Sequence, residues 1–414
     1  VTSKHNHMSW SQAYTMRIVL VAAFVCIALA APRVCQVQNL SSKNRIAEEF
    51  LVVLHPSLAR TSNVQYASSV ADKIAEISSK IVIVKRFTNL LTPIFLIRVT
   101  DESVIESLFQ LHEVQSIEAN VFQRMTQQCS TQNSGSRLWG LSRISSVPLP
   151  NFDDAQFSYK SGDGAGVRIY VLDSGIRLTH QDFEGRAEFG FNAVGGSDAD
   201  NMGHGTHCAG IAGGTEFGVA KGATLVAVKV LTDFGGGTSE GIIEGINWAV
   251  GDIQARGVRG ILSMSLGGIA SEALDSAVNS ADAEGVPVVT AAGNTNCDAC
   301  NFSPERASGA ITVGNTDITD TLNERSCWGT CVDILAPGTD IRSAYHLNDY
   351  ESIVYTGTSL SCPYVSGVVA KYLSANPNAS TAQVRSFLSG SATKNAIDLR
   401  GTSGTPNLLL HSTC

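Results

Sequence analysis

Charge is scarce in this sequence: 16% of its 414 residues are Asp, Glu, Lys or Arg, against 43% hydrophobic. That leaves enough apolar surface for one large core and a small second domain. The 38 glycines follow no Gly-X-Y period and no low-complexity tract appears, so the chain reads as globular. Positive charge is in deficit. A net charge of −8 argues against a general nucleic-acid or anionic-membrane partner. No internal repeat is visible, which sets aside solenoid folds. Long apolar runs are lacking too. The run MRIVLVAAFVCIALA at 16–30 is too short to cross a bilayer and has no counterpart elsewhere, so no membrane span is expected.

That short run has a logic of its own. Arg17 supplies a positive start, Ile18 to Ala28 an apolar stretch, and Ala28-Leu29-Ala30 a small-residue cleavage site. This is the pattern of a secretory signal peptide, with a signal anchor or a core helix as the alternative. The product is therefore expected outside the cell. Residues 1–15 precede Met16 and are read as a non-native extension. Ten cysteines agree with export. Cys297 and Cys300 form a C-x-x-C, and Cys327 and Cys331 a second close pair. Four thiolates around zinc are compatible with the spacing alone, but an oxidising compartment favours disulfides.

Residues 31–128 carry their own pattern. Strand-like segments at 48–57, 81–87, 94–99 and 114–119 alternate with helix-like ones at 63–79 and 102–111. The order is βαββαβ, a small ferredoxin-like α+β unit. Residues 123–137 are polar and lack apolar periodicity, as an exposed linker would. From about Leu138 the chain alternates short apolar strands (167–173, 223–231, 259–266, 286–292, 310–314) with helices (204–214, 239–256, 271–284, 359–374, 381–389). Apolar strands separated by helices predict an α/β fold whose central parallel sheet is covered on both faces. Ligands bind such sheets beyond the carboxyl ends of their strands.

Three motifs fall at those ends. VLDSGI (171–176) ends a strand at Asp173, NMGHGTHCAG (201–210) opens a helix at His204, and GTSLSCPYVSG (357–367) opens another at Ser359. A serine hydroxyl is a poor nucleophile until a histidine takes its proton and a carboxylate orients that histidine. AAGN (291–294) follows a strand and offers the Asn294 amide. With the Ser359 N–H, it would form an oxyanion hole. An α/β-hydrolase esterase would need G-x-S-x-G and the acid between serine and histidine, so the order Asp, His, Ser sets that class aside.

These blocks, with SMSLGG (263–268), resemble in order those of the subtilases, and within them the proteinase K branch. WGLSRIS (139–145) resembles the start of the mature enzyme and PNLLL (406–410) its end, so the likeness spans roughly 138–414. The βαββαβ segment resembles the family's inhibitory propeptide. The resemblance implies a three-layer subtilisin-like catalytic domain at 129–414, a propeptide at 31–128, and a secreted, self-processed serine endopeptidase. Asp173, His204, Ser359 and Asn294 would be catalytic. His207 is expected as a structural neighbour, and Cys208 and Cys362 as buried free thiols.

The same likeness implies that Gly235, Gly236 and Gly237 on one side, and Ser265, Leu266 and Gly267 on the other, clamp the substrate backbone as added strands. Ala291, Ala292 and Gly293 would line the primary specificity pocket. These segments contain no acidic residue, so an apolar or aromatic preference is expected. No cofactor is expected for the chemistry. A structural calcium site is implied at the carbonyls of Ser308 and Ala310 and the carboxylate of Asp333, with a local cap or pair at Asp333 as the alternative. Cys300 would pair with Cys331 and Cys297 with Cys327, and Cys129 with Cys414 if processing leaves it in place. Partners would be protein and peptide substrates and the chain's own propeptide, with no nucleic acid or membrane, and the enzyme would be a monomer. Leu360, Ser361 and Tyr364 depart from the family's usual Met, Ala and His.

Overall fold

Alternation of apolar and polar residues predicts strands with one buried face, and unbroken apolar runs predict strands buried on both. Both kinds occur in the computed structural model, which describes residues 37–38, 40, 45–55, 63–88, 90, 92–121 and 129–414. The expected extension, the signal peptide and the first part of the linker lie outside the described residues. The chain divides into two compact units, Val1–Thr126 and Gln127–Cys414.

In the first unit, β1 (Arg45–Leu54), α1 (Asn63–Ile77), β2 (Ile81–Phe87), β3 (Ile94–Val99), α2 (Ile105–Leu108) and β4 (Val114–Val121) follow in the expected order. The helix expected over 102–111 is only a helical turn, Glu102–Val104, running into α2. The sheet order is β2-β3-β1-β4, antiparallel throughout. Phe50, Val52 and Leu54 of β1 turn inward with Ala67, Val70 and Ile74 of α1, all fully buried.

The second unit opens with a departure from expectation. Residues 129–133 were expected within a linker, yet Cys129–Asn133 is strand β5, paired with β6 (Gln156–Lys160). Its side chains alternate between exposed and half-buried, so main-chain pairing, not apolar burial, makes it a strand. A disulfide also ties Cys129 to Cys414. Between β5 and β6 lies α3 (Trp139–Ile144), wholly buried.

Then come β7 (Val167–Asp173), β8 (Ala187–Asn192), α4 (His204–Gly213), β9 (Thr224–Lys229), α5 (Ser239–Arg256), β10 (Arg259–Met264) and β11 (Gly268–Ile269). They are followed by α6 (Glu272–Ala283), β12 (Val288–Ala291), β13 (Phe302–Ser303), β14 (Ala310–Thr316), β15 (Ile334–Pro337), β16 (Ile341–Ala344) and β17 (Ser352–Tyr355). Last are α7 (Thr358–Ala375), α8 (Thr381–Ser391), β18 (Thr393–Lys394) and β19 (Leu408–Leu409). Nine strands form one sheet in the order β18-β19-β15-β14-β12-β10-β7-β9-β8, parallel except at the β18–β19 edge.

Strand β7 shows why the sheet is closed on both faces. Ile169 and Val171 pack into one core with residues of α4 and α7, while Tyr170 and Leu172 pack into the other with residues of α5 and α6. Each such fully buried aliphatic side chain contributes about 1.5–3 kcal/mol. Capping sets where the helices begin. Thr238 and Ser271 accept from the third residue of α5 and α6, and Ser380 with Gln383 forms a reciprocal capping box on α8. Among the described residues no helix is long and apolar enough to cross a membrane.

Candidate active site

A carboxylate at the end of a buried strand must find donors or lose its charge. Asp173, fully buried at the carboxyl end of β7, has them. Its Oδ1 accepts from the Ser174 N–H at 2.7 Å, and the His204 Nδ1 lies 2.8 and 2.9 Å from its two oxygens. Burial pulls the His204 imidazole toward neutrality, but the adjacent Asp173 carboxylate outweighs it, so its pKa sits well above the ordinary histidine value. His204 is the first residue of α4, and the loop before it is gathered by a residue the sequence reading overlooked. Buried Asp200 accepts from the Ser174 hydroxyl at 2.8 Å, the Gly203 N–H at 2.8 Å, and the Thr206 N–H and hydroxyl at 2.9 and 2.6 Å. A side chain at Gly205 would strike the Gly175 carbonyl, so glycine there lets α4 press against the Asp173 strand end.

Ser359 opens α7, and a proline shapes its surroundings. Pro363 has no N–H to return to the Ser359 carbonyl one turn back. That carbonyl instead accepts from the Ser265 hydroxyl at 2.7 Å and the Cys208 thiol at 3.4 Å. The Ser359 hydroxyl itself donates to the Ser265 carbonyl at 3.2 Å. Asn294 is oriented by its oxygen, which accepts from the Thr358 N–H at 2.8 Å and the Thr358 hydroxyl at 3.1 Å. The backbone N–H requires the amide oxygen on that side, which leaves the NH2 group to act as donor elsewhere.

His204, Ser359 and Asn294 line one cleft of about 610 Å³. Gly235, Gly236 and Gly237 form one wall, and Ser265, Leu266 and Gly267 another, with Ala291 and Gly293 between them. Ala292 is apart: it is fully buried, packed in the cluster of Leu322, Leu335 and Leu409. Strand alternation turns it away from its neighbour Ala291. His207 is held by the Ile353 carbonyl at 3.1 Å, and burial pushes its pKa down to about 3. Cys208 and Cys362 are buried free thiols. Burial raises both, Cys362 to about 12. Asp173, His204 and Cys208 are near enough to hold a metal ion, but the histidine and carboxylate already bind each other.

Comparison with known proteins agrees with this geometry. The profile of the peptidase S8 family, the subtilase family, matches residues 164–407. The chain belongs to the subtilases. It is 46% identical to the extracellular serine proteinase of Thermus sp. (strain Rt41A) over 66% of each chain. It is 43% identical to the alkaline serine exoprotease A of Vibrio alginolyticus over 68% of this chain and 51% of that one. The chain thus spans less than two thirds of the length of these two relatives. The crystal structure of a cold adapted subtilisin-like serine proteinase matches 68% of this subtilase and all of that chain, with 40% identity and a TM-score of 0.62.

Two further expectations need correction. The carbonyls assigned to calcium already have a cation. The Arg385 guanidinium of α8 donates to the Ala310 carbonyl at 2.8 Å and the Ser308 carbonyl at 3.4 Å. It shares a small cavity with Asp333, whose carboxylate accepts the Thr312 N–H at 2.8 Å. A calcium ion would need the same oxygens and would meet a positive charge, so these residues do not fit it. Cys300 and Cys331 are bridged, but Cys297 and Cys327 are thiols with sulfurs 3.0 Å apart, beyond a bond of about 2.05 Å. The cleft also holds an acidic residue. Glu305 lines it from outside the three segments on which the apolar expectation rested.

The departures at α7 are accommodated. Ser361 donates to the Ala336 carbonyl at 3.0 Å. Tyr364 is buried with its hydroxyl over Gly140, where a Cβ would come within 2.2 Å.

Proposed function

We propose that this chain is a secreted serine endopeptidase that hydrolyses peptide bonds through an acyl-enzyme. The observation that carries the reading is the Asp173–His204 pair at 2.8 Å, opening on the same cleft as Ser359 and Asn294. For reaction the Ser359 hydroxyl leaves the Ser265 carbonyl and turns to the His204 imidazole. His204 then takes the proton as the oxygen attacks the substrate carbonyl. Asp173 holds the imidazole and stabilises its cationic form, in keeping with the raised His204 pKa. The Asn294 NH2 group and the Ser359 N–H donate to the tetrahedral oxyanion. His204 returns the proton to the leaving amine, and water repeats the sequence to release the acid. Substrate lies extended between residues 235–237 and 265–267, bound by main-chain hydrogen bonds.

Residues 31–128 are an inhibitory propeptide in this reading. The chain cuts itself ahead of Cys129, so that the bridge to Cys414 stays with the mature, monomeric enzyme. Chemistry needs no cofactor. A fluorophosphonate probe should label the wild type at Ser359. Ser359→Ala should abolish labelling, lower turnover by at least about 10³-fold, and leave the precursor uncut. Normal maturation of that variant would sink self-processing, and an unlabelled wild type would sink the enzyme reading.

A further inference from the structure

A carboxyl group buried without a partner is costly, and it persists where something else uses it. One oxygen of the Glu305 carboxyl is in this position. The residue is 3% exposed, and its Oε2 has no hydrogen-bond partner. It lines the cleft with Ala291, Gly293, Phe302, Gly267 and Ser359. Gly267 makes room for it, since a Cβ there would lie 1.8 Å from Oε1. Any side chain at Gly267 would displace the carboxyl.

Among the described residues no basic side chain pairs with Glu305. The neighbouring Arg306 is engaged elsewhere, its Nε 2.6 Å from Asp275. Burial lifts the Glu305 carboxyl to about 8, against its own backbone N–H, and the Asp275 charge adds to the rise. With the cleft empty the group is a neutral acid at pH 7, and an arriving cation would ionise it, its proton leaving to solvent. The walls around it are largely apolar: Leu266, Phe302 and Ala291 suit the methylene stem of a long side chain whose charged head reaches the floor.

We propose that Glu305 is the counter-ion for a basic side chain on the residue just before the cleaved bond, so that the substrates are peptides cut after Lys or Arg. This rests on the reading of Ser359 as a peptidase nucleophile. It replaces the apolar preference drawn from the sequence, because the acid comes from a loop that those segments do not contain.

The test uses the matured full-length protein and a peptide series differing only at that residue: Lys, Arg, norleucine, Phe and Ala. Norleucine keeps the lysine stem and removes the charge. The wild type should cut the Lys and Arg peptides with kcat/KM at least about tenfold above norleucine. Glu305→Gln keeps the shape and should lower the Lys and Arg values about 10- to 100-fold, leaving norleucine and Phe within about threefold. Fluorophosphonate labelling of Ser359 in the variant reports an intact site. Norleucine cut as well as Lys by the wild type, or a Lys-to-norleucine ratio unmoved by the substitution, overturns the proposal while leaving the peptidase reading in place. Failure of the wild type to label or to cut any peptide removes the reading beneath it.

Discussion

Two ends of one short loop treat charge in opposite ways. At Glu305 the chain buries a carboxyl inside the cleft, and among the described residues no cation pairs with it. Three to five residues later, the carbonyls of Ser308 and Ala310 receive the Arg385 guanidinium of α8. The second end is complete within the chain, and the first is complete only when something enters. A polar group whose needs are met internally belongs to the scaffold. One left wanting at the wall of a cleft marks what the cleft is for.

The largest effect that bears on this contrast is in stability against pH. The Glu305 pKa of about 8 lies above its ordinary value of 4.5. The unfolded chain therefore loses the proton first. Between those values the folded state holds one proton more, and stability falls as pH rises through the window. Glu305→Gln has no such proton. It should be more stable than wild type at pH 9, by roughly 5 kcal/mol, with the gap closing toward pH 5. Urea midpoints at pH 5, 7 and 9, both proteins carrying Ser359→Ala against self-digestion, would measure it. A gap that does not vary with pH would mean that Glu305 ionises freely.

A smaller effect is expected at the other end. Arg385→Ala leaves two carbonyls without their donor and should cost about 2 kcal/mol, read from the same urea midpoints. The smallest is the response of the wild type to chelation. With Arg385 in place, removing calcium should leave the melting temperature within about 1 °C, a shift below about 0.5 kcal/mol. A large loss on chelation would show that this loop, or another, does hold the ion.

Much of the scaffold was legible because its signals are local. The βαββαβ order of the first unit, and the strands and helices around β7, β10, β12 and α4 to α8, follow from runs and periods that a single segment displays. Capping residues such as Thr238, Ser271 and Ser380 mark helix starts within a few positions. Strand β5 was missed for the same reason. CSTQN has no apolar pattern, and its order comes from pairing with β6 and from a bridge to the last residue of the chain. Asp200 left no helix-start signal, because it lies three residues ahead of the Gly203 cap and its role comes from reaching Ser174 as well as the first turn of α4. Glu305 and Arg385 left no such trace.

By itself, then, the order of residues determined the two-unit plan and the parallel sheet, and it singled out Asp173, His204, Ser359 and Asn294 as the candidates for the site, since each sits in a short motif whose chemistry is readable in place. Tertiary structure alone decided which charges meet. Whether Glu305 finds a cation, whether Arg385 reaches the Ser308 carbonyl 77 positions away, and whether Cys297 and Cys327 close to a bond are questions of ångströms between segments distant in sequence. Electrostatic and covalent bonding fall off over those distances, while composition and periodicity do not record them.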